Sequence, residues 1–284
     1  MKLFAIEGNS LRLDGGSMFG NAPKELWKQW LAPDDKNRIH LSTRALLIQT
    51  DDGRNVLMEA GAGAFFDPKM KERYGIVEQG HMLLKNLAAA GLSAEDIDVI
   101  ILSHLHFDHA GGMLSAFEEG PLRLLFPNSR IYTGKAHWER ACRPHVRDRA
   151  SFVPQLNALL EASGRLVLIE GPTHPDLDFG RNFKLSFGYS QGHTVGLLVT
   201  RMEVEGSPLV YGADLIPGMP WMSLPISIGY DRFPELLIDE KKAVFDALLA
   251  QEGRIYFTHD PNIACAKVCQ DPQGKYYGQP EKIG

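Results

Sequence analysis

The sequence predicts an α/β fold, because short apolar runs alternate with longer segments of helical periodicity. Residues 97–102 read Ile-Asp-Val-Ile-Ile-Leu, and such a run, rich in β-branched residues, is typical of a buried strand. Residues 234–249 carry apolar side chains at helical spacing, which indicates an amphipathic helix. Hydrophobic residues make up 44% of the 284-residue chain, enough for a large core in one α/β domain or two small ones.

Turn and capping residues separate the other predicted elements. Pro23 and Pro234 each open a helix, because proline fits the first helical turn, and Gly91 ends another helix. The Asp-Asp-Gly sequence at 51–53 marks a hairpin. Residues 2–13 are predicted to form a first strand or a hairpin. The other predicted strands are 38–50, 55–59, 97–102, 122–126, 130–132, 165–169, 182–187, 195–203, 209–211 and 254–257. A short helix is predicted to start at Pro23. The other predicted helices cover 77–90, 134–163 with breaks near Pro144 and Pro154, and 234–249.

The residues that carry chemistry directly follow the strand at 97–102. Residues 103–112 read Ser-His-Leu-His-Phe-Asp-His-Ala-Gly-Gly, so four side chains able to bind metal fall within six residues. His104 and His106 are two apart, so in an extended segment both rings point the same way and can bind one metal ion. Asp108 and His109 follow where a helix starts, and they can face a second metal. The glycines at 111 and 112 predict that this helix is closely packed. Imidazole nitrogen with carboxylate oxygen suits zinc, and also iron or manganese.

The order His-x-His-x-Asp-His followed by Gly-Gly resembles the metallo-β-lactamase superfamily, and within it the lactonase and related metal-hydrolase branches. Such families need three more ligands downstream, and this chain has a similar residue for each. His193 lies in Gly-His-Thr-Val-Gly, Asp214 ends Tyr-Gly-Ala-Asp, and His259 lies in Phe-Thr-His-Asp. The resemblance covers nearly the whole chain and implies a four-layer αββα metallo-β-lactamase sandwich, with residues 1–284 as a single domain.

The resemblance also implies two Zn²⁺ ions per chain, with iron or manganese as alternatives. It implies a binuclear-metal hydrolase in which a hydroxide bridging the metals opens a small ester, lactone or related substrate. Asp108 could also pass a proton to the leaving group. The implied ligands are His104, His106 and His193 for the first metal, Asp108, His109 and His259 for the second, and Asp214 for both. The other histidines are expected to be structural or surface residues: His40, His81, His137, His145 and His174.

The chain departs from the lactonase pattern after Asp214. Lactonases that resemble it often carry a tyrosine three residues after this aspartate, aimed at the substrate carbonyl, whereas Pro217 stands here. Specificity for acyl-homoserine lactones therefore does not follow from the resemblance. Tyr230 is the candidate replacement donor and the third candidate catalytic residue beside Asp108 and Asp214, and a buried core tyrosine is the alternative interpretation.

Two other activities remain open. A thioester hydrolase of the glyoxalase II type shares the ligands, but it usually adds a helical glutathione-binding end, and only 25 residues follow His259 here. An iron-dependent persulfide dioxygenase belongs to a different reaction class and normally needs one metal, so the full second ligand set counts against it.

Composition limits the expected partners, which are a small-molecule substrate and possibly a second copy of the chain. A net charge of −5 argues against a nucleic-acid groove, and no apolar stretch is long enough for a membrane span. Three cysteines make no even disulfide framework, which favours reduced thiols in a cytoplasmic protein. The apolar segment 18–31, with Trp27 and Trp30, predicts a homodimer interface, and a lid packed on its own monomer is the alternative.

Overall fold

The computed structural model describes residues 1–180 and 183–283, and its alternating strands and helices confirm the predicted α/β class. The strands are β1 (Lys2–Ile6), β2 (Leu11–Asp14), β3 (Arg38–Leu41), β4 (Ala45–Gln49), β5 (Asn55–Met58), β6 (Val99–Ile101), β7 (Arg130–Gly134), β8 (Leu166–Ile169), β9 (Leu185–Ser190), β10 (Leu197–Val204), β11 (Ser207–Tyr211), β12 (Arg254–Tyr256), β13 (Cys265–Gln270) and β14 (Tyr276–Glu281). The helices are α1 (Gly15–Phe19), α2 (Lys24–Trp27), α3 (Pro68–Tyr74), α4 (Met82–Ala89), α5 (Phe107–Ala110), α6 (Lys135–Cys142), α7 (Pro154–Ala162) and α8 (Pro234–Leu249).

The chain divides into two compact units, the first of which comprises residues 1–11 and 42–170. Its six-stranded sheet has the order β1-β4-β5-β6-β7-β8. The strands from β5 to β8 run parallel, whereas β1 and β4 are antiparallel to their neighbours. All three residues of β6 are buried, as expected for an apolar strand inside a parallel sheet. The residues after β6 therefore emerge at the carboxyl ends of parallel strands, where open α/β sheets place their ligand sites.

The second unit comprises residues 12–41 and 171–283. Its six-stranded sheet has the order β14-β13-β12-β11-β10-β9 and is antiparallel except for the β11–β12 pair. Helix α8 lies between these two parallel strands in the chain. Its buried residues recur every three or four positions, so one face of the helix is covered; they are Leu237, Lys241, Phe245 and Leu248. Strands β2 and β3 pair in a separate two-stranded sheet.

The apolar segment 18–31 packs largely within the second unit. The Phe19 ring stacks on both Trp27 and Trp221, with centroid distances of 5.5 and 4.8 Å. The indole nitrogen of Trp221 donates to the carbonyl oxygen of Met18 at 2.9 Å, and Trp27 is only 1% exposed. Most of the segment thus contributes to the core of its own unit.

Several predicted elements have the observed bounds, and others do not. The helix predicted at 234–249 is confirmed. The break predicted within 134–163 is also confirmed, because α6 ends at Cys142 and α7 begins at Pro154. The single strand predicted over 38–50 is wrong, because β3 and β4 belong to different sheets. The strand predicted at 122–126 is also wrong, since in the described part of the chain this segment forms only an isolated bridge between Leu114 and Leu124.

The remaining differences concern element ends. The helix predicted over 77–90 begins only at Met82, because His81 caps it by accepting from the backbone N–H of Leu84 at 3.4 Å. The first residue of the strand predicted at 182–187, Asn182, lies outside the described residues, and β9 begins at Leu185. Among residues 1–180 and 183–283, no helix is long and apolar enough to cross a membrane. The single-domain assignment stays a prediction.

Candidate metal centre

Four of the predicted ligands lie together in the segment that follows β6. His104, His106, Asp108 and His109 are all buried. The one-turn helix α5 places Asp108 in its first turn and His109 in its last. The ring centroid of His104 lies 4.4 Å from that of His106 and 4.0 Å from that of His109. The first unit thus brings the three imidazoles together.

Close backbone packing holds this segment against residues 59–63. A Cβ atom at Gly112 would lie 1.9 Å from the carbonyl oxygen of Ala60, and one at Gly111 would lie 2.3 Å from another carbonyl oxygen of the same segment. Only glycine permits such an approach. The backbone N–H of Ala60 also donates to the carbonyl oxygen of His109 at 2.9 Å. The close packing predicted at the two glycines is therefore confirmed.

Glu59 supports the ligand segment, although the sequence motifs do not point to it. Its side chain is only 1% exposed, and its φ of 67° is unusual for a residue other than glycine. Glu59 Oε1 accepts from the backbone N–H of Ser103 at 2.7 Å, and Oε2 lies 3.4 Å from His109 Nδ1. A carboxylate beside Nδ1 orients the ring and leaves Nε2 to face a metal. The only sequence signal is a glutamate directly after the apolar strand β5.

His137 and Ser103 hold the start of the same segment. The Ser103 hydroxyl oxygen lies 2.9 Å from His104 Nδ1. This contact leaves Nε2 as the nitrogen of that ring that could bind a metal. His137, from α6, is fully buried, and its Nε2 accepts from the backbone N–H of Leu105 at 2.8 Å. The structural role expected for His137 is confirmed, because it fixes the backbone between two predicted ligands.

The other three predicted ligands lie in the second unit, each after a different strand. His193 follows β9, Asp214 follows β11 and His259 follows β12, and all three are buried. Asp214 Oδ2 lies 3.2 Å from His193 Nε2, and Oδ1 lies 3.0 Å from His259 Nε2. Each carboxylate oxygen therefore faces a different imidazole. This is the arrangement expected of a carboxylate that serves two metal positions.

Asp231 is a further functional residue that the motifs do not identify. It is fully buried; Oδ2 accepts from the backbone N–H of Ile228 at 2.6 Å, and Oδ1 lies 2.8 Å from His193 Nδ1. Because an ionised carboxylate only accepts hydrogen bonds, we assign the imidazole proton to Nδ1, which leaves Nε2 to face Asp214. Burial raises the pKa of Asp231, and the hydrogen bond from His193 opposes that effect. The only nearby sequence signal is Tyr230, the candidate catalytic residue that directly precedes Asp231.

Pro217 and Tyr230 mark the departure from the lactonase pattern. The carbonyl oxygen of Pro217 accepts from the backbone N–H of His259 at 2.9 Å, so this residue holds a predicted ligand through its main chain. Tyr230 is 48% exposed, so the interpretation as a buried core tyrosine is wrong. The role of Tyr230 as a donor to substrate stays a prediction.

The chemistry of the donor set fits a metal ion. Each of the seven predicted ligands is buried and offers an imidazole nitrogen or a carboxylate oxygen that could hold a metal. Zinc, iron and manganese all accept this mixture of nitrogen and oxygen ligands. Carboxylates beside Nδ1 of His109 and His193 complete the pattern, because metal-binding histidines usually pair their second nitrogen in this way.

The family model of the metallo-β-lactamase superfamily matches residues 39–259, a span that includes every predicted ligand. The chain belongs to this superfamily. An N-acyl homoserine lactonase from Bacillus cereus is 27% identical over 243 residues, which cover 79% of this chain and 83% of the lactonase.

Solved structures show the same fold. A probable metal-dependent hydrolase from Staphylococcus aureus is similar with a TM-score of 0.85 and 26% identity, over 99% of this chain and 98% of that one. AidC, a dizinc quorum-quenching lactonase, is similar with a TM-score of 0.74 and 24% identity, over 99% of this chain and 95% of AidC. The predicted metallo-β-lactamase fold is confirmed, and the chain is a metal-dependent hydrolase.

Proposed function

We propose that this protein is a binuclear zinc hydrolase that opens a small, apolar ester or lactone. The observation that carries the proposal is the carboxylate of Asp214, whose two oxygens face the separate imidazoles of His193 and His259. The similarity to the Bacillus cereus lactonase supports esters and lactones as the substrate class. When bound, two metal ions would polarise the substrate carbonyl and lower the pKa of a shared water to near neutrality.

The proposed ligands follow the superfamily order, and iron and manganese remain alternatives to zinc. The side chains next to the ligands have a separate task. Asp231 would hold the Nδ1 proton of His193, and Glu59 would orient the ring of His109 in the same way, so that Nε2 of each ring would face a metal position. The proposed ligand sets are His104, His106 and His193 for one ion, Asp108, His109 and His259 for the other, and Asp214 for both.

Two side chains are proposed to act on the substrate. Asp108, in the first turn of α5, would deliver a proton to the departing alkoxide, since a leaving group of this kind needs an acid nearby. Tyr230 would donate its hydroxyl hydrogen to the substrate carbonyl oxygen in place of the tyrosine that related lactonases carry.

Metal content is the first test. Elemental analysis of metal-replete protein should give two metal ions per chain, as a binuclear hydrolase requires, and Asp214→Ala should hold less metal and lose most activity. Without the anionic carboxylate between them, the two cations would repel each other. One ion or fewer per chain in the wild type would refute the binuclear proposal.

A substrate panel is the second test. Acyl-homoserine lactones, simple lactones, aryl esters, a phosphotriester and a glutathione thioester should be compared with a persulfide under oxygen-electrode recording. Turnover of lactones or esters, rising with pH through the ionisation of the bound water, would support the proposal. Preference for the glutathione thioester would identify a thioester hydrolase. Oxygen consumption with the persulfide alone would identify a dioxygenase.

The expected partners are a small-molecule substrate and, as a further part of this proposal, a second copy of the chain. Leu26 and Trp30 remain 42% and 36% exposed in the segment 18–31, so they are the apolar side chains it could offer to a partner. The absence of nucleic-acid and membrane partners and the cytoplasmic location stay predictions.

A further inference from the structure

Two consecutive charged residues of α8, Glu240 and Lys241, each bind a different segment of the second unit. One segment, residues 190–193, ends at the predicted ligand His193. The other, residues 223–233, carries Asp231, which pairs with the ring of that ligand at 2.8 Å. Glu240 binds the residues directly before His193, and Lys241 binds the start of the segment that carries Asp231.

Glu240 binds the three residues that precede His193. Its Oε2 accepts from the Ser190 hydroxyl at 2.6 Å and from the Gly192 backbone N–H at 3.1 Å, and its Oε1 accepts from the Gln191 backbone N–H at 2.8 Å. A Cβ atom at Gly192 would lie 2.5 Å from an α-carbon of α8, so the segment lies directly on the helix. One carboxylate thus fixes the approach of the chain to His193.

Lys241 binds the start of the other segment. Its side chain is 0% exposed, and Nζ donates to the carbonyl oxygens of Ser223, Leu224 and Ile226 at 3.1, 3.2 and 2.7 Å. An ammonium group has three N–H donors, and here each of them has a carbonyl acceptor. Burial lowers the pKa of Lys241 to about 7, and the nearby charge of Asp231 partly opposes this effect. A buried cation bound to three carbonyls indicates that the path of this segment is tightly constrained.

Backbone hydrogen bonds join the two segments where they meet. The N–H of Arg232 donates to the carbonyl oxygen of His193 at 3.2 Å, and that of Phe233 donates to Gly192 at 2.8 Å. The backbone N–H of Ile228 donates to Asp231 Oδ2 at 2.6 Å. The ligand and its carboxylate partner therefore lie on two joined segments, each of which is bound to the same helix.

We propose that Glu240 and Lys241 are positioning residues, which together hold His193 Nδ1 against Asp231 and so set the direction of His193 Nε2. The hydrogen bond between His193 and Asp231 lies within the second unit and does not require a bound metal. Only its consequence for zinc rests on the proposed function, because outer partners of a metal-binding histidine usually change metal affinity when they are removed.

The test compares Glu240→Gln and Lys241→Met with wild type and with Asp231→Asn. The ring Nδ1–H signal of His193 should be followed by NMR in the metal-free, ¹⁵N-labelled chain, with Asp231→Asn as the reference for its loss. Zinc affinity should be measured separately by competition with a chelator. The matched controls are the exposed neighbours on the same helix, Asp239→Asn and Lys242→Met.

Both positioning variants should shift or lose the ring signal and weaken zinc binding by about 10-fold to 100-fold. The two controls should keep the signal and change zinc affinity by less than about threefold. A general loss of stability would not produce this pattern, because all measurements are made below the unfolding temperature of each variant. If Lys241→Met does not fold, Glu240→Gln decides the question alone.

A wild-type ring signal and wild-type zinc affinity in the folded positioning variants would overturn the inference. A wild-type chain that binds no zinc would instead refute the proposed metal centre. The ring signal would still decide whether the two residues of α8 hold the imidazole, so the two failures can be told apart.

Discussion

At the scale of single residues, the candidate metal centre depends on carboxylates that are not themselves predicted ligands. Glu59 Oε2 lies 3.4 Å from His109 Nδ1, and Asp231 Oδ1 lies 2.8 Å from His193 Nδ1. Each unit therefore has one buried acid beside Nδ1 of a predicted ligand ring. In the sequence, Glu59 lies 44 residues before its hydrogen-bond partner Ser103, and Asp231 lies 38 residues after its partner His193. This distance explains why a local motif identifies the ligands and not their supports.

Glu59→Gln tests the importance of this orientation in the first unit. The amide keeps the shape of the side chain, but it replaces one acceptor with a donor and removes the negative charge near the His109 ring. We expect zinc affinity to fall by about 10-fold to 100-fold, as measured by chelator competition. Glu118→Gln, at a surface ion pair with Lys71, is the control and should bind zinc like the wild type. Unchanged affinity in Glu59→Gln would show that the 3.4 Å contact does not orient the ring.

Tyr230→Phe tests the proposed substrate contact. If the hydroxyl donates to the carbonyl oxygen in the transition state, kcat should fall by about 100-fold while KM changes little. Tyr277→Phe is the matched control, because Tyr277 is exposed to a similar extent, 49% against 48%. Steady-state kinetics on the best ester or lactone of the panel measures the effect. Equal kcat in both variants and the wild type would leave Tyr230 without a catalytic role.

At the scale of secondary-structure elements, prediction worked where the signal was local and strong. Helix α8 has its predicted bounds, because Pro234 starts it and its apolar spacing persists to the end. Helix α3 has a capping Asp67 and a left-handed Gly75 at its end, yet none of its residues is buried. Without a buried apolar face, α3 lacks the periodicity from which helices are predicted, and no helix is predicted at 68–74 from the sequence.

Strand pairing was less predictable than strand identity. Residues 38–50 form one continuous run of strand-like composition, but they contribute to two sheets. The break lies at residues 42–44, where the Thr43 hydroxyl donates to the carbonyl oxygen of Asn9 at 2.7 Å and the Arg44 guanidinium pairs with Glu7. Both partners come from the start of the chain, so the change of direction depends on contacts that composition does not encode.

The N-terminus of α4 gives a pH-dependent prediction. His81 Nε2 lies 3.0 Å from the carbonyl oxygen of Gly112, while Nδ1 accepts from Leu84, so the fold uses the neutral imidazole at both nitrogens. Burial lowers the pKa of His81 below its ordinary value of 6.5, and the contact with Gly112 only partly opposes this. Below pH 6.5 the unfolded chain therefore binds a proton at His81 more readily than the folded chain does. The free energy of unfolding of the protein should fall as the pH falls through this range.

His81→Gln should remove this dependence, because glutamine keeps a donor for the carbonyl oxygen of Gly112 and does not titrate. Chemical unfolding of metal-free protein between pH 5 and pH 8 measures it. The free energy of unfolding of the wild type should fall relative to the variant as the pH drops through 6.5. His40→Gln, at an exposed position, should follow the wild type. Parallel curves for wild type and His81→Gln would contradict the prediction.

At the scale of the whole molecule, the seven candidate ligands could be named from the sequence because they fall in four short motifs in superfamily order. The homodimer was a weaker inference, since it rested on the apolar character of one segment. The structure reduces the number of side chains in this segment that could form the interface. Trp27 is 1% exposed and stacks on Phe19, so it serves the core of its own unit and not an interface. Any dimer that uses this segment must depend on its exposed apolar side chains.

The dimer prediction can therefore be tested on Leu26 and Trp30 alone. The double variant Leu26→Ala, Trp30→Ala removes the exposed apolar surface of the segment and keeps the stack of Trp27 on Phe19. It also removes the contact between the Trp30 and Phe19 rings, whose centroids lie 5.6 Å apart, so the fold of the variant must be checked first. A two-fold dimer is the commonest soluble assembly, and we expect light scattering at micromolar concentration to give twice the chain mass for the wild type and the chain mass for the variant. Leu236→Ala, at another exposed leucine, is the control and should remain dimeric. A wild type with the mass of one chain would refute the dimer, whereas a double variant that stays dimeric would assign the interface to another surface.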